Sequence, residues 1–211
     1  MTAPDPTALA FVHRFEAATA ADRPPLLVLH GTGGDESDLL PFGRTVAPGA
    51  ALLSPRGPVL ENGMPRFFRR LAEGVFDEDD VRRRAADLAS FVAGARAAYG
   101  LPAPVALGFS NGANIAAAVL LLHPGVLAGA VLLRPMRPLA VLPEPDLTGL
   151  PVLMLSGAQD PIVPEANVRS LTDRLRASGA RVEHTVLRVG HGLSQADVTT
   201  TQAWIARIAR A

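Results

Sequence analysis

Gly108-Phe109-Ser110-Asn111-Gly112 stands between an apolar, β-type run, Val105 to Leu107, and a helix-like apolar run, Ile115 to Leu122. With 19 Gly in 211 residues the five-residue pattern alone is a weak signal. Its context supplies a mechanism. A strand turning sharply into a helix holds the central serine on a strained corner, and glycines two before and two after it leave room for the tight backbone approach. The serine hydroxyl then stands exposed at a helix N-terminus, and the flanking sequence should supply the other strands and helices of an α/β sheet.

It does. Short Val- and Leu-rich runs alternate with helix-period segments from about residue 26 onward, the pattern of βαβ units and a mainly parallel sheet. The strands expected are Leu26 to His30, Ala51 to Ser54, Val105 to Phe109, Ala130 to Arg134, Val152 to Ser156 and Val182 to Val189, with Ala10 to Phe15 as an antiparallel edge. Val81, Ala85, Leu88, Val92, Ala95 and Tyr99 recur at three- and four-residue steps, so a helix follows Asp77 and stops at Gly100. Its Arg82-Arg83-Arg84 run sits beside four acids and is read as a solvated face. Two more helices fit Glu165 to Ser178, with Gly179 as the stop, and Ser194 to Ala209. Arg56 to Phe76 and Pro135 to Pro151 read as loops, too short for a cap domain. The expectation is one domain over residues 1–211, about seven strands with helices on both faces.

Hydrophobic residues make up 48% and charged ones 19%, a balance that excludes a disordered chain. Twenty basic and twenty acidic residues leave no net field toward nucleic acid or an anionic membrane. A small-molecule substrate suits this better, and a homodimer stays open. Every basic residue is Arg and none is Lys, which excludes lysine Schiff-base chemistry and lysine-anchored pyridoxal phosphate. Without Cys there is no disulfide, thiolate nucleophile or thiolate metal site. Met1 to Phe15 lacks a basic stretch followed by an apolar core, so a cytoplasmic location is expected. The longest apolar run, Ile115 to Leu122, is far shorter than the roughly 20 residues of a membrane span.

A serine hydroxyl attacks an acyl group only with a neutral imidazole in reach and a carboxylate that fixes the imidazole's tautomer. Asp160, in Ser156-Gly157-Ala158-Gln159-Asp160-Pro161, follows one strand, and His191, in Gly190-His191-Gly192, follows the last. Carboxyl-end loops of an open α/β sheet converge on one crevice, and the order Ser, Asp, His fits an α/β-hydrolase. Each residue also has a plainer role: Asp160 as a turn or N-cap residue, His191 as a turn histidine. Asp146, in a Pro-rich loop, and Asp173, in mid-helix, are worse placed. His13, His123 and His184 are read as structural. His30-Gly31-Thr32-Gly33-Gly34-Asp35 follows the first buried strand, and the N–H groups of Thr32 and Asn111 are the expected oxyanion donors. Alternatively, this loop only caps a helix through Asp35 or Ser37.

These motifs together with Ser54-Pro55-Arg56-Gly57 and the continuation Ala113-Asn114 resemble the phospholipase/carboxylesterase family, the acyl-protein-thioesterase-like α/β-hydrolases, and above all its small bacterial carboxylesterase branch. The likeness runs from about Phe11 to Trp204. It implies an α/β-hydrolase fold and a serine esterase with no cofactor; separately, the five His are scattered and no His-Glu-x-x-His or carboxylate cluster occurs, so no metal is expected. The catalytic triad would be Ser110, Asp160 and His191, with Thr32 and Asn111 forming the oxyanion hole. Thioesterases and lysophospholipases of the family usually carry Leu where this chain has Thr32, and Gln-Gly-Gly where it has Asn111-Gly112-Ala113. That departure weighs against long acyl chains. The stretch Asn62 to Arg70 resembles the bacterial branch, some members of which are linked to aromatic or quinone-type compounds. Met64, Phe67 and Phe68 are candidates for an apolar acyl or aryl pocket, or for packing a loop against the sheet.

The expectation is a serine carboxylesterase hydrolysing small acyl or aryl esters through an acyl-enzyme. An acyl-thioesterase or lysophospholipase acting on longer chains is the alternative, and a non-catalytic binding protein on the same fold the third reading.

Overall fold

The computed structural model describes residues 9–210. Of the stretch Met1 to Phe15, residues 1–8 lie outside it. Along the chain the elements are β1 (His13–Glu16), β2 (Leu26–Leu29), α1 (Leu40–Val46), β3 (Leu52–Pro55), β4 (Val59–Glu61), β5 (Met64–Arg66), β6 (Arg70–Ala72), β7 (Val75–Phe76), α2 (Glu78–Tyr99), β8 (Val105–Phe109), α3 (Asn111–Leu122), β9 (Gly129–Leu133), β10 (Pro151–Gly157), α4 (Glu165–Ala177), β11 (Arg181–Leu187) and α5 (Gln195–Ile208).

Seven strands form one sheet in the order β1-β3-β2-β8-β9-β10-β11. Only β1 is antiparallel, pairing His13 with Pro55 and Glu16 with Leu52. Period-2 alternation sorts the sheet's side chains onto two faces. Leu27, Leu29, Leu132, Val152 and Met154 pack in one core with residues of α2, α3 and α4. Leu26, Val28, Val131, Leu133, Leu153 and Leu155 pack in another with Leu40, Val46, Trp204 and Ile205 of α1 and α5. Strands buried on both faces explain the unbroken apolar runs in the sequence.

The helix ends follow elementary chemistry. The Asp77 side chain caps α2 by accepting from the Asp80 N–H, and Gly100 closes it at φ 66. Arg83 and Arg84 of the basic run both pair with Asp80, and Arg82 is exposed.

Several local expectations shift. The edge strand begins at His13 rather than Ala10, because Phe11 turns into the core against Phe91, ring centroids 5.0 Å apart. The last strand stops at Leu187, whose carbonyl is taken by the Ala158 N–H. Arg56 to Phe76, expected as loop, holds two small hairpins, β4–β5 and β6–β7. The first turns at Asn62-Gly63, both at positive φ (52 and 79), a two-residue hairpin turn legible in the sequence. Helix α1 is seven residues long with Pro41 and Gly43 in it, and is supported by burial of Leu40, Gly43 and Val46 rather than by propensity. Asp35 instead accepts from the Ser37 N–H at 2.7 Å, forming a turn ahead of α1.

Trp204, 1% exposed beneath the sheet, is the largest wholly buried side chain. Trp204→Ala is expected to cost about 3–5 kcal/mol, measured as a lowered urea midpoint.

Candidate active site

Ser110 sits between the end of β8 and the start of α3 at φ 52 and ψ −114. A non-glycine residue there costs about 1–3 kcal/mol and needs support from its surroundings. The Ser110 N–H donates to Leu133 O at 2.9 Å, and the Ser110 carbonyl accepts from the Asn114 N–H at 2.9 Å. The flanking glycines serve close approach: a Cβ on Gly112 would lie 2.1 Å from Leu29 O, and one on Gly108 would lie 2.5 Å from Gly112 O.

Asp160 lies three residues past β10, its side chain 1% exposed. Its Oδ1 accepts from the N–H groups of Ile162 (2.8 Å) and Val163 (3.1 Å), which orients Oδ2 toward His191 Nδ1 at 2.8 Å. His191 Nε2 lies 3.0 Å from Ser110 Oγ. An ionised carboxylate only accepts, so Nδ1 carries the imidazole proton and Nε2 presents its lone pair to the serine hydroxyl. Thus three side chains separated by 50 and 31 positions are joined by hydrogen bonds at one rim of the sheet. Gly157 allows the acid and histidine loops to meet, since a Cβ there would lie 2.5 Å from Gly190 O. The Gln159 N–H further ties the loops through Val189 O at 3.0 Å.

Thr32 and Asn111 line the same cleft as Ser110 and His191. Neither N–H donates to a partner among the described residues, whereas the neighbouring Gly33 and Gly34 N–H groups are taken by Pro65 O and Gly31 O. Asn111 Oδ1 accepts from the Phe67 N–H at 2.7 Å, and Thr32 Oγ1 accepts from Arg66 at 2.9 Å. Both links fasten the β5 end to the site. His30 braces the Thr32 loop from below. Its Nδ1 donates to Gly31 O at 2.7 Å and its Nε2 accepts from the Gly57 N–H at 2.9 Å, so both ring nitrogens are committed to the neutral form. Burial pushes its pKa below the ordinary imidazole value.

The cleft over Ser110 is small and opens to the surface. Phe76, Met136, Ile162 and Val163 give it an apolar side, and Arg66, Arg70 and Glu73 a polar one. Met64, Phe67 and Phe68, read as pocket lining or as packing for a loop, are not among the residues lining this cleft. Phe67 and Phe68 are buried in the core, where Phe67 packs on the His30 ring and Phe68 on Phe76. Met64 is 40% exposed, its side chain beside Gly33. Sequence reading placed these residues near the site but could not orient them, because two consecutive aromatics in a loop have no period to assign inside from outside.

Arg134 and Asp197 were not singled out by the sequence, yet they form a fully buried ion pair beside His191 (Nη1 to Oδ1 2.7 Å). A charged residue ending the apolar run Ala130 to Leu133 was the available signal. Of the other histidines, His13 bonds Phe11 O and the Tyr99 hydroxyl, and His184 bonds the Ser156 hydroxyl.

A mainly parallel sheet with helices on both faces, a serine at the strand–helix elbow and an acid and a histidine in the following carboxyl-end loops define an α/β-hydrolase. Residues 13–208 match the profile of the phospholipase/carboxylesterase family, and the chain belongs to that family. It is 44% identical over 194 residues to MhqD of Bacillus subtilis (strain 168), a hydrolase by name, covering 91% of this chain and 96% of that protein. Its structure is similar to a Bacillus cereus carboxylesterase (TM-score 0.91, 42% identity, 93% and 94% of the two chains). A carboxylesterase from Mesorhizobium loti is also similar (TM-score 0.89, 35% identity, 94% and 95%). No helix among the described residues is long and apolar enough to cross a membrane.

Because His30 is held neutral, its folded pKa lies below the unfolded value of about 6.5. Its contribution to stability is therefore complete above that pH and is lost as pH falls through the folded value. The stability advantage of wild type over His30→Gln should narrow between about pH 8 and about pH 5 in urea titrations.

Proposed function

We propose that this protein is a serine carboxylesterase that hydrolyses small acyl or aryl esters through an acyl-enzyme. The observation that carries the proposal is the hydrogen-bonded chain from Asp160 Oδ2 through the His191 ring to Ser110 Oγ, 2.8 and 3.0 Å.

In the acylation half, Ser110 Oγ bonds to the ester carbonyl carbon as His191 Nε2 takes the hydroxyl proton. Asp160 keeps the Nδ1 proton in place and stabilises the imidazolium. The oxygen that gains charge is met by the N–H groups of Thr32 and Asn111, with the N-terminus of α3 behind it. The tetrahedral intermediate collapses when His191 returns its proton to the leaving oxygen, and the alcohol or phenol departs. Water then attacks the acyl-serine with His191 as base, and Ser110 is restored when the acid leaves. Each preorganised oxyanion donor contributes about 2.7–4 kcal/mol to the barrier reduction. The apolar side formed by Phe76, Met136, Ile162 and Val163 next to Ser110 suits a small acyl or aryl group.

The first test is p-nitrophenyl acetate hydrolysis. Ser110→Ala should lower kcat by about 10⁴- to 10⁶-fold and Asp160→Asn by about 10⁴-fold. Equal rates in wild type and Ser110→Ala would end the proposal.

The second test compares p-nitrophenyl esters of increasing acyl length. The kcat/KM value should peak at the short esters, and a continued rise into long chains would instead favour a lysophospholipase or acyl-thioesterase.

A further inference from the structure

We propose that Arg134, held by Asp197, is the positioning residue of His191: a buried fork that fixes the histidine loop by its carbonyls on both sides. The proposal rests on the serine-esterase reading for its kinetic consequence but not for its geometry.

Arg134 follows β9 directly, and its backbone is in the left-handed region at φ 54. Its own N–H donates to Leu155 O of β10 at 2.8 Å, which anchors this turned residue to the neighbouring strand. From there the side chain runs toward the loop after β11, with no solvent exposure. Nε donates to Gly190 O at 3.0 Å, and Nη2 donates to Gly192 O at 3.1 Å, the two carbonyls flanking His191. Nη1 donates to Leu155 O at 3.3 Å and to Asp197 Oδ1 at 2.7 Å, and Nη2 also donates to Asp197 Oδ2 at 2.9 Å. A guanidinium has five N–H bonds in a planar fork, and here each has an acceptor. None is left for a substrate, so Arg134 borders the cleft without serving as an anion-binding group.

Asp197 completes the device from α5. Its Oδ2 also accepts from the Ser194 N–H (2.8 Å) and hydroxyl (2.7 Å), closing the first turn of the helix. The loop carrying His191, between Leu187 and Ser194, is thereby bound at both ends to rigid elements. Gly190 and Gly192 have no side chains with which to hold the loop, and among the described residues the His191 ring hydrogen-bonds only Asp160 and Ser110 and otherwise packs on Phe109. Where the ring meets Asp160, Ser110 and Phe109 therefore depends on where the two flanking peptides are held. Lysine retains the charge opposite Asp197, but a single ammonium cannot reproduce the fork that reaches both carbonyls and the carboxylate.

The experiment compares wild type with Arg134→Lys and with the double variant Arg134→Gln/Asp197→Asn. The double variant leaves no uncompensated buried charge and keeps an acceptor for Ser194. For each, folding is checked by circular dichroism and thermal midpoint, p-nitrophenyl acetate kinetics are measured, and the downfield proton signal of His191 Nδ1–H is recorded by NMR. Asp160→Asn serves to assign that signal. The folded variants are expected to lose about 100-fold in kcat, with KM little changed and the Nδ1–H signal broadened or lost.

A folded variant with wild-type kcat and an unchanged signal overturns the proposal. Failure of both variants to fold assigns the network to stability and overturns it equally. If wild type fails to hydrolyse the ester, the esterase reading falls on its own, and the His191 signal in the variants still decides whether Arg134 positions the imidazole.

Discussion

The left-handed corner at Ser110 is the constraint on which the rest depends. Its backbone is unfavourable in isolation and persists because both neighbours hold it: β9 accepts its N–H, and α3 uses its carbonyl for the first helical bond. Residues 111–121 of α3 are all buried, between the sheet and α2. The corner cannot relax without lifting that helix off the sheet, so the burial of α3 sustains the strain at the serine. At Gly112 the helix passes so close to Leu29 O that no side chain fits.

Around this corner the loops are held by hydrogen-bonded side chains. Neutral His30 bridges the peptides at Gly31 and Gly57. Arg66 and Asn111 join the β5 end to the Thr32 loop and to α3. Arg134 and Asp197 join β9, β10 and α5 to the histidine loop. Buried polar groups of this kind are costly unless fully paired; Arg134 and neutral His30 have every N–H committed, whereas Asn111 Nδ2 has no partner among the described residues. The outcome is a site whose loops behave as extensions of the sheet. That is the preorganisation the proposed acyl transfer would need, because donors already in place need not rearrange as charge develops.

How much of this could be read from the chain differs by element. The central strands were legible because both faces are buried, which writes unbroken Val and Leu runs. Helix α2 was legible from its period and its Asp77 and Gly100 ends. The first strand was displaced by three residues, since an apolar residue at 11 serves a loop packing inward as well as a strand. The two hairpins were missed although Asn62-Gly63 carries a turn signal, because strands of two or three residues leave no alternation to recognise. Met64, Phe67 and Phe68 were read as pocket lining or as packing of a loop against the sheet; the side chains of Phe67 and Phe68 lie in the core and that of Met64 lies beside Gly33.

The amino-acid sequence by itself determined the sheet's apolar interior, the glycine-flanked serine, and the order of the serine, the acid and the histidine along the chain, because each is written in local spacing and residue type. Only the tertiary structure decided that Oδ2 of Asp160 faces Nδ1 of His191 and that Arg134 reaches Gly190 and Gly192. Such contacts join residues 21 to 81 positions apart. No local preference encodes them: they arise when parallel strands, stacked in an order different from their order in the chain, bring their carboxyl-end loops to a common edge.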